Sequence, residues 1–289
     1  MPEVYKSWEF VKKLGSGSYG IVCEYANPEE RIAIKFAKVP KDGSKRLEFI
    51  LANEVIIMQQ LHSPFTATLK FCDTIMIHTS LYQLLGLDFV PGISLSTIIK
   101  NAHAIQCDSA LRWSEVRAVF AQLVFALHYL HSIHCIHCDV CPNNIMVDMA
   151  HNHKLTLIDF GCALMENQVG PATTTQIGTP SYMCPEIVRC ENITHKSDVW
   201  SAGVVLYEMC AGRLPFTMRV IHRKGHPSVV DMPSDGFYFD PNTLSPEKMV
   251  FAPILSAMLQ PIVVLRISAD TLIDSEPVRE YFEIIESPK

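Results

Sequence analysis

The order of elements along the sequence predicts a segregated α+β fold, in which a small lobe of strands precedes a larger, mostly helical lobe. Three observations carry that expectation. Apolar runs bounded by Gly-rich or Asn-Pro turns fill most of residues 8–87. A single stretch with helical periodicity, Lys45 to Leu61, interrupts them. Beyond residue 92, apolar side chains recur at spacings of three and four.

Taken in order, Trp8 to Leu14, Ile21 to Tyr25 and Arg31 to Ala37 read as strands. In the helical stretch, Leu47, Ile50, Leu51, Val55, Met58 and Leu61 form one apolar stripe. Glu54 falls within that stripe, where a carboxylate is costly unless a cation meets it. Two more strands follow, Ala67 to Ile77 and Leu81 to Leu87, and then Asp88-Phe89-Val90-Pro91-Gly92 reads as a hinge. Ser114 is placed to cap a helix running to His131, with Val116, Phe120, Leu123, Leu127 and Leu130 on its inner face. Val199 to Cys210 is apolar, short and carries Glu208, so it reads as a buried helix and not as a membrane span. No repeat, low-complexity tract or long linker divides the chain. We therefore expect one domain over 1–289, with lobes at 1–87 and 93–289 joined by residues 88–92.

Composition narrows the function. A chain of 289 residues with 48% hydrophobic content can bury one large core or two lobes sharing a cleft. The net charge of −6 gives no basic face for nucleic acid or an anionic membrane. The start, Met-Pro-Glu-Val-Tyr-Lys, lacks the basic-then-apolar order of a signal peptide, and ten scattered cysteines read as reduced thiols. The cytoplasm or nucleus is the expected location. The few residues after Arg279 leave us expecting no long regulatory tail.

Gly15-Ser16-Gly17-Ser18-Tyr19-Gly20-Ile21-Val22 has the form G-x-G-x-x-G-x-V between two strands. Glycines allow close backbone approach to phosphates and point N–H groups at them. A dinucleotide-binding loop would instead open a helix. Fifteen residues after Gly20, Ile32-Ala33-Ile34-Lys35 places a lysine inside an apolar strand. The buried-face Glu54 and this lysine resolve each other if they pair, leaving Lys35 to touch phosphate oxygens. Downstream come His137-Cys138-Asp139-Val140-Cys141-Pro142-Asn143-Asn144, Asp159-Phe160-Gly161, Gly178-Thr179-Pro180-Ser181-Tyr182-Met183-Cys184-Pro185-Glu186, Asp198-Val199-Trp200-Ser201-Ala202-Gly203 and Arg266.

In this order, these motifs resemble the catalytic domain of a eukaryotic protein kinase of the serine/threonine type, across residues 8 to about 275. The resemblance implies the bilobal kinase fold, with a small, mainly antiparallel β lobe carrying one helix and a larger, mainly helical lobe. It implies ATP and Mg2+ as cofactors and a protein substrate, with no nucleic acid or membrane partner. By the same resemblance Asp139 orients the attacking hydroxyl, and Asn144 and Asp159 hold magnesium. Lys35 fixes the α and β phosphates with Glu54 behind it. Leu14, Gly15, Ser16, Gly17, Ser18, Gly20, Val22 and Ala33 enclose the nucleotide, and backbone groups of Asp88 and Val90 meet the adenine edge behind the gatekeeper Leu87. Arg266 is placed as the buried partner of Glu186.

Two positions depart from the family pattern. Cys138 replaces the arginine that reads a phosphate on the activation segment, so Thr173, Thr174 and Thr175 read as ordinary loop residues. Cys141 replaces the lysine that donates to the transferring phosphoryl group, and no local cation substitutes. A slow kinase is the expectation, with a nucleotide-binding pseudokinase scaffold as the alternative. Cys138 and Cys141 form a C-x-x-C near His134, but no second ligand pair follows at zinc-site distance, so thiol reactivity beside the cleft is favoured over a metal. The G-T-P-x-Y-x-x-P-E form with Thr179 points to serine/threonine acceptors, and Glu208 hints at a basic residue in the substrate.

Overall fold

The computed structural model describes residues 1–17, 20–40, 45–104, 111–170, 177–221, 229–231, 240 and 244–286. Ser18 of the Gly-rich motif and Thr173, Thr174 and Thr175 lie outside the described residues. The chain divides into two compact units, Met1–Pro91 with Ile158–Ala163, and Gly92–Leu157 with Leu164–Lys289.

The first unit is built on β1 (Val4–Tyr5), β2 (Trp8–Gly17), β3 (Gly20–Ala26), β4 (Arg31–Lys38), β5 (Leu69–Ile77) and β6 (Ser80–Asp88), with α1 (Lys45–Met58) between β4 and β5. The strands form one antiparallel sheet in the order β1-β2-β3-β4-β6-β5. Alternation sends Cys23, Tyr25, Ile32, Ile34, Phe36 and Leu84 into a packed core with Tyr5. The turn between β3 and β4 is held by Asn27, whose Oδ1 accepts from the amides of Glu29 and Glu30 at 2.9 and 2.8 Å.

The buried face of α1 is rotated from the stripe expected. Leu51, Asn53, Glu54, Ile57, Met58 and Leu61 are buried, whereas Ile50 and Val55 are only half-buried. The regular helix also stops at Met58, three residues early. Gln60 and Leu61 donate to carbonyls only three residues back, a tightened last turn ahead of Ser63-Pro64.

The second unit is mainly helical: α2 (Leu95–Ala104), α3 (Trp113–Ser132), α4 (Pro185–Val188), α5 (His195–Ala211), α6 (Ala252–Met258), α7 (Ala269–Leu272) and α8 (Glu276–Glu286). All five expected inner positions of α3 are buried. Its cap is Arg112, not Ser114. Glu115 reaches back to accept from the Arg112 amide at 2.9 Å, which satisfies the helix start two residues earlier than the serine would. Val199 to Cys210 lies inside α5 and is buried on nearly every side chain. Short strands missed by the periodicity complete the unit: β7 (Ile93–Ser94), β9 (Ile145–Asp148) and β10 (Lys154–Leu157) in one sheet, β8 (Cys135–Ile136) with β11 (Leu164–Met165), and β12 (Arg219–Ile221) with β13 (Val229–Asp231). Runs of two to four residues are too short to show a period. Among the described residues, no helix is long and apolar enough to cross a membrane.

Candidate active site

In the first unit, strand register collects several of the residues expected beside a nucleotide on one face. Val22 pairs with Lys35, Ala33 with Leu87, and Lys35 with Leu85, so all five side chains point the same way. Gly15 and Gly17 have open space where a Cβ would stand. Gly20 is different, because a Cβ there would lie 2.4 Å from the Phe36 carbonyl oxygen. That glycine is needed for β3 to pack on β4, independently of any phosphate. Leu14 and Ser16 are exposed beside them on β2. Asp88 ends β6 with its amide donating to the Thr68 carbonyl at 3.0 Å, and Val90 follows half-buried.

Lys35 is buried, and its Nζ lies 2.6 Å from Glu54 Oε1 and 2.8 Å from Asp159 Oδ1. Burial works against the ammonium, but the Glu54 and Asp159 carboxylates outweigh it and hold the lysine charged, above its ordinary range. Burial likewise presses on Glu54, countered by Lys35. Asp159 itself adopts a left-handed backbone, φ 61°, at the start of its turn, and its Oδ1 also accepts from the Gly161 amide at 3.3 Å. Asn53 Nδ2 donates to the Ala163 carbonyl at 2.8 Å, tying α1 to the same segment. Periodicity gave no sign of that contact; a buried asparagine next to Glu54 was the available signal.

The second unit carries the loop around Asp139. Asp198, in the first turn of α5, accepts from the amides of His137 at 2.8 Å and Cys138 at 2.9 Å, and from His131 at 3.0 Å. This buried carboxylate fixes the loop where Cys138 takes a left-handed φ of 62°. Asp139 Oδ2 accepts from Asn144 Nδ2 at 2.8 Å, and that same nitrogen donates to the Asp139 carbonyl at 2.9 Å. Asp139 Oδ1 accepts from the Thr179 amide and hydroxyl, both at 2.7 Å. Gly178 permits this approach: its φ is 91°, and a Cβ would fall 2.4 Å from the Cys138 carbonyl oxygen. Burial pushes the Asp139 carboxyl above its ordinary value, while Thr179 and Asn144 pull the other way.

Cys141 is buried, with its Sγ 3.5 Å from Thr179 Oγ1. Burial and the neighbouring Asp139 charge push its thiol up to about 11. The thiol is therefore neutral at pH 7, which corrects the expectation of a reactive cysteine at this position. Cys138 is buried as well. Glu208, the hinted substrate contact, accepts from Tyr182 at 2.6 Å.

Behind the loop, Arg266 meets Glu186 with two hydrogen bonds of 2.6 and 3.0 Å, both residues being buried. Ser197 Oγ donates to Glu186 at 2.8 Å, and Arg266 also reaches the carbonyls of Gln260 and Lys196, each at 2.9 Å. Burial opposes the Glu186 charge, yet the Arg266 guanidinium holds its pKa below the ordinary range.

The profile of the protein kinase domain family matches residues 8–276. The chain is 30% identical over 268 residues to the serine/threonine-protein kinase akt-2 of Caenorhabditis elegans, covering 91% of this chain and 46% of that protein. It is 30% identical over 279 residues to the maternal embryonic leucine zipper kinase of Danio rerio, covering 94% and 38% respectively. The CBL-interacting serine/threonine-protein kinase 20 of Arabidopsis thaliana is 28% identical over 290 residues, covering 98% and 61%. The chain spans about half the length of the curated relatives it matches.

Proposed function

The chain belongs to the protein kinase domain family, and on that premise we propose that it transfers the γ-phosphate of ATP to serine or threonine hydroxyls of a protein substrate. The observation that carries the reading is Lys35 held charged between Glu54 and Asp159. An ammonium anchored on two carboxylates is a fixed positive charge for phosphate oxygens. Lys35 binds the α and β phosphates and Glu54 orients it; Val22 and Ala33 cover the base, and backbone groups of Asp88 and Val90 take its edge. Asp139 orients the acceptor hydroxyl and receives its proton, with Thr179 and Asn144 fixing both carboxylate oxygens.

Asn144 and Asp159 suit magnesium by donor chemistry. Asn144 spends its amide nitrogen on Asp139, which turns its oxygen to other use, and Asp159 offers a carboxylate. When bound, magnesium neutralises charge developing on the phosphates. Cys141 places a neutral thiol where the family has a lysine, and losing one transition-state donor corresponds to about 3 kcal/mol, roughly 100- to 1000-fold in rate. We therefore propose a slow enzyme. The same thiol favours a second reading, a pseudokinase that binds nucleotide and acts through a partner. We place the protein in the cytoplasm or nucleus, which suits thiols; among the described cysteines none forms a disulfide.

Thermal denaturation with magnesium and ATP tests the first step, since a ligand bound only by the folded state raises Tm by mass action. We expect a rise that Lys35→Met removes. No rise at millimolar ATP would sink both readings. Incorporation of labelled phosphate into a generic protein substrate, lost in Asp139→Asn, then separates enzyme from scaffold.

A further inference from the structure

Among the described residues of the first unit, Glu24 and Glu54 are the buried carboxylates, and the phosphate-handling set uses only Glu54. Glu24 is 2% exposed and sits on β3 directly opposite Ala33. Strand alternation puts Glu24 and Arg31 on the same sheet face as Val22, Ala33, Lys35 and Leu87. A carboxylate there requires a cation, and Arg31 supplies it: Nε and Nη2 lie 2.7 and 2.6 Å from Glu24 Oε1. The guanidinium carbon of Arg31 stands 3.8 Å from the centre of the Phe89 ring. Phe89 is two residues beyond Leu87 and lies between Asp88 and Val90 in the chain. Asp88 is tied in parallel, its Oδ1 accepting from Lys70 Nζ at 3.0 Å while Lys70 also reaches Glu30 at 2.9 Å. Residues 88 and 89 are thus each held by a cation that is itself anchored on an acid from β3 or the following turn.

We propose that Arg31, set in place by the buried Glu24, is a positioning residue for the adenine nucleotide. By stacking on Phe89 it fixes the backbone groups of Asp88 and Val90 that the base uses. This rests on the nucleotide-binding reading above. A cation–π contact at an exposed arginine corresponds to roughly a two- to fivefold change in affinity. The Lys70 pairs are more solvated and contribute less.

The test is calorimetric binding of ADP with magnesium to the wild type, Arg31→Met, Phe89→Leu and the double variant, with hydrogen exchange at the amides of Asp88, Phe89 and Val90. Each single change should weaken binding about two- to fivefold. The double variant should be no weaker than the worse single one, because both remove one contact. Exchange at the three amides should quicken in the nucleotide-free variants, and in turnover the loss should fall on KM for ATP. If Arg31→Met does not fold, Arg31→Lys keeps the charge on Glu24 and loses the flat stack, and the same loss of affinity is expected. Wild-type affinity in the single variants, additive losses, or a lowered Tm with unchanged affinity would each overturn the proposal while leaving nucleotide binding intact. A wild type that binds no ADP would sink both.

Discussion

In the first unit the buried Lys35 ammonium lies 2.6 Å from the buried Glu54 carboxylate and 2.8 Å from the exposed Asp159 carboxylate. In the second unit Asp139 is held by an amide, a hydroxyl and a carboxamide, and the side chain two residues on is a neutral thiol. Hydrogen bonds to an ionised donor are about twice as strong as neutral ones. The comparison separates two tasks that one enzyme must perform. In the proposed function, anchoring phosphates needs a fixed cation in the ground state, which Lys35 would supply. Stabilising the charge that would develop during transfer calls for one as well, and among the described residues the hydrogen-bond donors to the Asp139 carboxylate are neutral groups.

The largest way to sharpen the comparison is to remove the carboxylate that serves transfer alone. Asp139→Asn should lower phosphoryl transfer by 10²- to 10⁴-fold, the usual contribution of a positioned general base, while ADP affinity measured by calorimetry stays within about twofold. A parallel collapse in binding would show that the two tasks are not separable in this chain.

Next in size is the support behind the loop. Glu186→Gln leaves Arg266 charged and buried without its carboxylate, which should cost about 3–5 kcal/mol and appear as a lower denaturant midpoint. The pH dependence follows in sign. The folded-state pKa of Glu186 is depressed, so its contribution is present above the ordinary value of 4.5 and is lost as pH falls below it. Acid titration of stability should therefore be shallower in Glu186→Gln than in the wild type below that pH.

A smaller effect sharpens the description of Asp139. Burial raises its pKa, and in its proposed role as base Asp139 must be ionised, so activity should fall as pH drops through the raised value. The acid limb of kcat/KM should lie above 3.8, the ordinary aspartate value, and should vanish from the residual rate of Asp139→Asn. The smallest effect is expected from Thr173, Thr174 and Thr175 changed together to alanine. With Cys138 in place of a phosphate-reading arginine, kinase activity should change less than about twofold. A collapse would reveal another basic group receiving a phosphate there.

Much of this was legible because anomalies in a sequence are informative. A lysine in an apolar strand and a glutamate on an apolar helix face each make sense only with the other, and the pair forms at 2.6 Å. The Asp139 loop and the pairing of Arg266 with Glu186 were legible through the resemblance of the ordered motifs to the protein kinase family. Glu24 is the counterexample. It is as anomalous as Glu54, a carboxylate alternating with Val22 inside a strand, yet its nearest cation is Arg31 across a tight turn, with Lys12 farther off at 3.8 Å, and the stack of Arg31 on Phe89 is encoded by no spacing. The Thr179 bond to Asp139 was hidden for a related reason, since it joins residues 40 apart and depends on the positive φ of Gly178. At the start of α3 serine has the higher capping preference, but Glu115 reaching back to the Arg112 amide decides the geometry. The short strands of the second unit gave no periodic signal at all.

The central claim is that Cys141 slows transfer while leaving the rest of the machinery in place. Single-turnover phosphorylation of a protein substrate at saturating ATP and magnesium, compared across the wild type, Asp139→Asn and Cys141→Lys, tests it directly. We expect measurable wild-type transfer, a rate about 10²- to 10⁴-fold lower in Asp139→Asn, and a rate roughly tenfold or more above wild type in Cys141→Lys, limited by how well the longer side chain fits beside Thr179. A wild-type rate equal to that of Asp139→Asn, with no gain in Cys141→Lys, would contradict it and leave the protein a nucleotide-binding scaffold.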